Sequence, residues 1–162
     1  MSVPLTQALG PMSQDERTTS AGLWRFSNEF FSAAATLAND RGDKFFTPIY
    51  FLHGRSIELA LKSFLRARGT PYKELRFAPY GHDLSNLLKE SRRRRLGAFV
   101  KLSHADCAAV SLLNREYASK RFEYIVTGSM TVPKLLVLQL VNASLVSGLR
   151  TYCLQDALRA RS

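Results

Sequence analysis

The sequence predicts an all-α protein, an up-and-down antiparallel bundle of about five helices. Apolar residues recur at steps of three and four along five segments, and no segment alternates convincingly between apolar and polar residues as a half-buried strand does. The connections between the segments are short, which favours antiparallel neighbours. At 162 residues, of which 46% are hydrophobic and 22% charged, the chain is long enough for one domain with its own core.

The first helix is predicted at residues 20–39, at the start of a single helical domain over residues 20–162. Residues 1–19 have no apolar period and contain two prolines and a glycine, so they are predicted to form a flexible N-terminal arm. Ser20 is expected to cap the helix. The apolar side of this helix is predicted to carry Leu23, Phe26, Phe30, Phe31, Ala34 and Leu37.

The second helix is predicted at residues 46–67, because Pro48 is tolerated only in a first turn. Gly69 is expected to end it, and residues 70–81, with two prolines and a glycine, are predicted to form a loop. His53 falls on the apolar side of this helix. A lone histidine in that position is typically a hydrogen-bonded core residue.

The third and fourth helices are predicted in the middle of the chain. The third begins at His82 or Asp83 and ends around four consecutive arginines before Gly97. The fourth is predicted at residues 103–121.

The fifth helix is predicted at residues 133–158, with Thr131 as its cap. Its apolar stripe is the broadest in the sequence, because Leu136, Leu140 and Val146 widen it. A stripe of this width predicts a central helix that packs on two sides.

Basic residues outnumber acidic residues by 23 to 13, which gives a net charge of +10. Eleven of the 23 lie between Arg55 and Arg95, against four acidic residues in the same segment. Four of them are consecutive at the end of the third helix: Arg92, Arg93, Arg94 and Arg95. Such a concentration indicates an anionic partner, and RNA or a nucleotide is the partner that we expect. A purely solubilising charge is the alternative.

We expect a cytoplasmic protein that uses no metal and no cofactor. Cys107 and Cys153 are too few for a disulfide framework, and there is neither a glycine-rich phosphate loop nor a paired-cysteine zinc signature. The N-terminal residues do not resemble a signal peptide. The most apolar stretch, residues 135–149, is interrupted by polar residues, so no membrane span is expected.

Cationic residues also step along the second helix at spacings of three and four: Arg55, Lys62 and Arg66. Glu58 lies among them and is expected to pair with Lys62 at i, i+4. The pattern is typical of a solvated polar face, and it also fits a cationic ridge that binds phosphates. Both interpretations remain open from the sequence.

The segment around His82 is the second candidate site. Gly81 permits a turn, and Asp83 is a good cap for the third helix. An imidazole is a poor cap, so capping does not explain His82. His82 is therefore the best candidate for a functional histidine.

A third candidate site lies at the end of the fourth helix. Four residues are predicted to share one helix face there: Asn114, Tyr117, Arg121 and Tyr124. Two tyrosines beside an arginine can stack a base and hold a phosphate. The same residues can also seal the end of the bundle, with the tyrosine hydroxyls reaching water.

Three segments in this order resemble the HEPN domain family. They are residues 56–69, with a Glu/Lys pattern on a helix, residues 81–84, with the sequence Gly-His-Asp-Leu, and residues 113–124, with a tyrosine followed by an Arg-aromatic segment. The resemblance implies an all-helical homodimer associated with RNA or nucleotides. Some members of the family act in toxin–antitoxin systems, and others accompany a small nucleotidyltransferase.

Many members of that family are metal-independent ribonucleases that carry an arginine, four to six residues, and then a histidine. Arg76 and His82 have five residues between them, although Phe77 stands where nuclease members have a polar residue. The resemblance therefore implies, as an alternative to a binding module, an endoribonuclease in which His82 is the general acid or base and Arg76 stabilises the phosphorane. A second alternative is a non-catalytic module that binds another protein.

Overall fold

The computed structural model describes residues 13–41, 44–124 and 126–159, without the side chains of Arg41 and Ala157. Within these ranges all regular secondary structure is helical, which confirms the predicted all-α class. The described helices are α1 (Gln14–Arg17), α2 (Ser20–Arg41), α3 (Phe46–Ala67), α4 (Tyr72–Arg76), α5 (Leu84–Arg93), α6 (His104–Tyr117) and α7 (Leu135–Arg159), with a 3₁₀ turn at Leu96–Ala98.

The described part of the chain has seven α-helices where the sequence predicts about five. The two additional helices are short, and both lie where no helix is predicted. α4 falls within the predicted loop at residues 70–81. α1 falls within the predicted arm, where Ser13 and Glu16 form a reciprocal capping box; residues 1–12 of that arm lie outside the described residues.

The ends of the long helices differ from prediction by a few residues, for identifiable reasons. Thr19, and not Ser20, caps α2: its Oγ1 accepts the N–H of Gly22 at 3.0 Å, while Ser20 is buried and donates to the carbonyl of Cys153. α6 ends at Tyr117 and not at residue 121, because Lys120 adopts a left-handed φ of 60° and closes a Schellman motif.

α7 begins at Leu135, two residues after the predicted start. Pro133 precedes the helix, and its carbonyl accepts the hydroxyl of Tyr50 at 2.7 Å. The carbonyl of Lys134 accepts the first helical N–H, from Leu138, so Thr131 does not cap this helix.

α3 is the most central helix, although the last helix was predicted to be the central one; α7 does pack on more than one side, against α2, α3 and α6. Every residue from Ser56 to Leu65 is buried, and α3 contacts α2, α5, α6 and α7. α7 packs against α2 and α3 through Val146 and neighbouring apolar residues, but it leaves Leu136 and Leu140 exposed. The broad apolar stripe of α7 is therefore only partly used in this core.

α7 is also the helix, within the described ranges, whose length and composition would allow it to cross a membrane. Four of its apolar residues are completely or almost completely buried in the bundle: Leu138, Val141, Leu145 and Leu149. About a third of its most apolar 18-residue window, 33%, is buried inside the bundle.

Side-chain contacts show the directions of the main helices. Ser27 bonds to Ser56 and Ser63 bonds to Ser20, so α2 and α3 are antiparallel, as predicted. α3 and α5 run in the same direction, because contacts at the start of α5 reach Glu58 whereas contacts at its end reach Arg68. The strict up-and-down order is broken at this connection, since residues 69–83, which include α4, travel back along the bundle.

His53 is a hydrogen-bonded core residue, as the sequence predicts. It is completely buried, and its Nδ1 lies 2.9 Å from Nδ2 of Asn142 on α7. Asn142 in turn accepts the hydroxyl of Ser56, which also bonds to Ser27 on α2. Burial lowers the pKa of His53 to about 4, so the imidazole is neutral near pH 7, and the network that it enters through Asn142 joins three helices without a buried charge.

Candidate functional sites at a buried glutamate and an arginine-lined surface

Glu58 lies at the centre of the first candidate site. Its side chain is 0% exposed, and four donors surround its carboxylate. Oε1 accepts Arg55 at 2.9 Å and Lys62 at 2.7 Å, both from α3. Oε2 accepts the hydroxyl of Tyr117 from α6 at 2.6 Å and contacts Nδ1 of His82 at 3.0 Å. We call these five residues the Glu58 cluster.

The cluster is charged despite its burial. Burial by itself raises the pKa of Glu58, but the hydrogen bond from His82 and the charges of Lys62 and Arg55 outweigh that effect and lower the pKa to about 2. Burial raises the pKa of the Tyr117 hydroxyl, and the adjacent carboxylate raises it further. Glu58 is therefore an ionised acceptor and Tyr117 a protonated donor at neutral pH.

The predicted Glu58–Lys62 pair is confirmed, but both open interpretations of this helix face need correction. Glu58 and Lys62 are buried, so the face is not solvated. A continuous cationic ridge is also absent, because Lys62 is directed to Glu58 and Arg66 donates from Nε to the carbonyl of Thr18 at 3.1 Å. The Arg55 side chain is 32% exposed, so of the two ridge residues in the Glu58 cluster, Arg55 and Lys62, Arg55 is the more accessible to solvent.

His82 is positioned by the capping of α5. Gly81 adopts a positive φ of 43°, and Asp83 then caps α5 by accepting the N–H of Asn86 at 2.9 Å, as predicted. Asn114 on α6 completes this cap, because its amide donates to Asp83 and its oxygen accepts the N–H of Leu84 at 2.7 Å. The side chain of His82 is consequently held against α3.

Gly54 allows Tyr117 to reach Glu58. It lies one turn before Glu58 on α3, and the ring of Tyr117 crosses it so closely that a Cβ at this position would lie 2.7 Å from Cε2. Real Cβ atoms do not approach a ring this closely. The sequence analysis did not single out Gly54, because a glycine inside a helix pattern does not by itself show which side chain crosses it.

His82 has the arrangement of a general base. Because an ionised carboxylate only accepts hydrogen bonds, Nδ1 of His82 carries the hydrogen in the contact with Glu58, and in the neutral imidazole Nε2 keeps its lone pair. The His82 side chain is 42% exposed. A carboxylate that orients a partly exposed imidazole is a common acid–base pair in enzymes.

Arg76 does not join His82 in this site. Its guanidinium donates to Oε1 of Gln14 at 3.1 Å and lies over the ring of Phe77, 5.4 Å from its centroid. No hydrogen bond or ion pair links the Arg76 and His82 side chains among the described residues. The spacing of Arg76 and His82 in the sequence predicted a pair, but in the structure the two side chains have different partners.

The second candidate site lies where α3 and α5 end. One open depression of about 490 Å³ is lined by Arg68, Arg93, Arg94 and Arg95. A second depression, of about 540 Å³, shares Arg95 and is also lined by Arg92, Lys101 and the 3₁₀ turn. We call the two together the arginine surface.

One carboxylate partly offsets the charge of this surface. Glu90 accepts both Arg93 and Arg94, with distances of 2.7–2.8 Å, and these hydrogen bonds lower its pKa to about 2. Arg92 and Arg95 are exposed and make no side-chain hydrogen bond or ion pair within the described residues. Arg95 also adopts a left-handed φ of 67° as the chain leaves α5.

Arg68 joins the arginine surface from beneath. Its guanidinium lies 5.3–5.5 Å from the ring centroids of Phe64, Phe99 and Tyr152. Arg94 donates to the carbonyl of Arg68 at 3.3 Å, so the two helix ends are joined directly. The sequence analysis missed Arg68 as a site residue, because only the fold brings the end of α3 to the arginines of α5.

The four residues predicted to share a face of the fourth helix do not form one face in the structure, although Arg121 and Tyr124 stay together. Asn114 caps α5 and Tyr117 is buried, whereas Tyr124 is 63% exposed. Arg121 donates to Glu116 at 2.7 Å and, with Tyr124, lines a depression of about 240 Å³. The helical face cannot continue beyond the left-handed Lys120.

No group of three or more His, Cys, Asp and Glu side chains that could hold a metal ion occurs in the part of the chain that the structure describes. Comparisons with protein-family models, with curated proteins and with solved structures found no match for this chain.

If Gly54 is replaced by alanine, we expect the protein to lose stability, although Gly→Ala inside a helix ordinarily stabilises by about 1 kcal/mol. The new Cβ would collide with Tyr117 and displace its hydroxyl from the buried carboxylate. We expect a net loss of about 2 kcal/mol in urea denaturation.

Gly97→Ala is the matched control, because a Cβ at Gly97 meets no atom within 4 Å. The Tyr117→Ala background provides a second control, since removal of the ring should make Gly54→Ala stabilising. A Gly54→Ala protein at least as stable as the wild type would contradict the packing described here.

Proposed function

We propose that this chain is a HEPN-like helical module that binds RNA through its arginine surface. The observation that carries the proposal is that six cations line two adjoining depressions. They come from the ends of α3 and α5 and from the segment that follows α5: Arg68, Arg92, Arg93, Arg94, Arg95 and Lys101. Among the described residues, Glu90 is the one carboxylate that pairs with any of them, so the local balance there is +6 − 1 = +5. A localised charge of this size attracts a polyanion.

The depression beside the 3₁₀ turn adds an apolar wall to this charge. Exposed Ala98 and half-buried Leu102 line it together with Arg92 and Lys101; Leu96 and Val100 also line it but are almost completely buried. Single-stranded RNA exposes both phosphates and base faces, so a surface that offers cations beside apolar contacts suits it better than it suits a smooth polyanion.

The Glu58 cluster supports the HEPN-like part of the proposal. The three segments that carry the resemblance contribute Glu58 and Lys62, His82, and Tyr117, and these side chains meet at one buried carboxylate. As a module of this kind the chain would act as a homodimer or beside a small nucleotidyltransferase in a two-component system, which are the partners that the resemblance implies.

Binding of a fluorescent single-stranded RNA, measured by anisotropy at several salt concentrations, tests the proposal. We expect affinity to fall as salt rises, with a slope of about −0.7 for each phosphate contact. Arg92→Glu/Arg95→Glu should weaken binding at least tenfold and make the salt slope smaller by about 1.4, because it removes two contacts without breaking the Glu90 pairs.

Arg25→Glu/Arg115→Glu is the matched control, because it changes the net charge equally at exposed positions outside the arginine surface. Equal loss of affinity in both double variants would show that only net charge matters. Absence of salt-dependent RNA binding in the wild type would favour the module that binds another protein.

A second candidate function, cleavage of the bound RNA, is favoured by one observation, the 3.0 Å contact that orients His82 on Glu58. In such a reaction Nε2 of His82 accepts the proton of a ribose 2′-hydroxyl, and the freed oxygen forms a bond to the adjacent phosphorus. The bond from phosphorus to the 5′-oxygen breaks, and the leaving oxygen takes a proton from the imidazolium. The products are a 2′,3′-cyclic phosphate and a 5′-hydroxyl.

Incubation of RNA with the protein in EDTA distinguishes cleavage from binding alone. If His82 is the base, His82→Ala should lower the cleavage rate at least 100-fold, while RNA affinity and the unfolding midpoint in urea identify any loss due to the fold. His104→Ala, at an exposed histidine of α6, is the control. Cleavage by His82→Ala at the wild-type rate would remove this candidate function.

A further inference from the structure

A third depression lies on another part of the molecule, between α2, α3, α4 and the segment that precedes α2. Its volume is about 400 Å³, within the range of about 300–1,000 Å³ that is typical of sites for small molecules. No residue of the arginine surface lines it. We call it the α2–α4 cleft.

Three aromatic rings line the cleft. Phe26 is 58% exposed, although it belongs to the apolar pattern of α2, and Phe30 and Tyr72 are half-buried beside it. The apolar pattern of α2 predicts a buried Phe26. Its exposure at the cleft leaves a ring face that a flat ligand could cover.

Two arginines give the cleft a positive charge. Arg55 and Arg17 line it, and no carboxylate does. Arg55 uses one terminal nitrogen to bond Glu58, which leaves other guanidinium donors for a ligand. The backbone N–H of Arg17 donates to the carbonyl of Ser13, whereas its guanidinium makes no hydrogen bond or ion pair with any other described residue.

The walls of the cleft are fixed by bonds within the protein. Arg66 donates to the carbonyl of Thr18, which holds the segment before α2 against α3. Thr19 caps α2 at the same place. Glu58 is buried and holds Arg55, so the cation at the base of the cleft is pre-oriented by the Glu58 cluster.

We propose that the α2–α4 cleft binds a small aromatic anion, a flat ring that carries one phosphate or carboxylate group. The ring stacks on Phe26 and its aromatic neighbours, and the anionic group pairs with Arg55 and Arg17. This binding is independent of the arginine surface and of the RNA-binding function proposed above.

Protein-observed NMR titration tests the proposal, because it detects millimolar affinities and locates them by residue. The probes are phenyl phosphate, benzoate and AMP, which separate a simple aryl phosphate, a carboxylate and a nucleotide. Phenol and inorganic phosphate supply the ring or the charge alone. We expect saturable shifts in the amides of residues 17–23 and 55–59 with at least one of the three anions, and binding at least tenfold weaker with phenol or inorganic phosphate.

One variant tests recognition of the ring and another tests recognition of the anionic group. Phe26→Ala and Arg17→Gln should each weaken binding about tenfold, whereas Phe77→Ala and Arg25→Gln, which alter exposed residues outside the cleft, should leave it unchanged. Neither Phe26 nor Arg17 is in the completely buried core, so the variants should fold.

Failure of all three anions to cause saturable shifts would overturn the proposal, as would equal binding of phenol or of inorganic phosphate. Arg92→Glu/Arg95→Glu keeps the two functions separate, because that variant should bind the aromatic anion as the wild type does. Loss of binding in it would assign the ligand to the arginine surface and contradict the cleft.

Discussion

The arrangement of the bundle depends on the hydrogen bonds and ion pairs that the ionised carboxylate of Glu58 accepts. Its two oxygens receive Arg55 and Lys62 from the central helix, Tyr117 from α6 and His82 from the segment before α5. A buried carboxylate without partners is strongly unfavourable, and loss of one partner of a buried charge pair costs about 3–5 kcal/mol. The positions of α5 and α6 against α3 are therefore coupled through one side chain.

This constraint divides the cations of the chain into two classes. Lys62 and Arg55 neutralise Glu58, and Arg66 secures the segment before α2, so these residues serve the fold first. The cations at the ends of α3 and α5 have fewer acidic partners and line open depressions, and they supply the charge available to a polyanion. A net charge of +10 does not distinguish these classes, whereas the partners and positions of the individual side chains do.

The helical class, the long helices and several local signals could be predicted from the sequence. The cap of α5 by Asp83 could be predicted because it depends on neighbouring residues in the sequence. The role of His53 as a hydrogen-bonded core residue could be predicted because it depends on apolar periodicity. The position of Glu58 could not be predicted, because an acidic residue at i, i+4 from a lysine has the same pattern on a surface and in a core. Only the packing of other helices on both sides of α3 decides between them.

The shared face predicted for Tyr117 and Tyr124 was wrong for a related reason. Helical spacing holds only while the helix continues, and the left-handed Lys120 ends it between the two tyrosines. The pairing of Arg76 with His82 relied on sequence separation alone, and the return of the chain through α4 gives the two side chains different partners. The close contact at Gly54 in the middle of α3 could not be predicted either, because only the packed structure brings the ring of Tyr117 across it.

The tautomer of His82 tests the central role of Glu58 most directly. ¹⁵N NMR of the imidazole, at a pH high enough to keep it neutral, identifies which ring nitrogen carries the hydrogen. The structure predicts the Nδ1–H form in the wild type, because Nδ1 donates to the ionised Glu58, and a shift toward the Nε2–H form in Glu58→Gln. A wild-type imidazole in the Nε2–H form, unchanged by that substitution, would contradict the account.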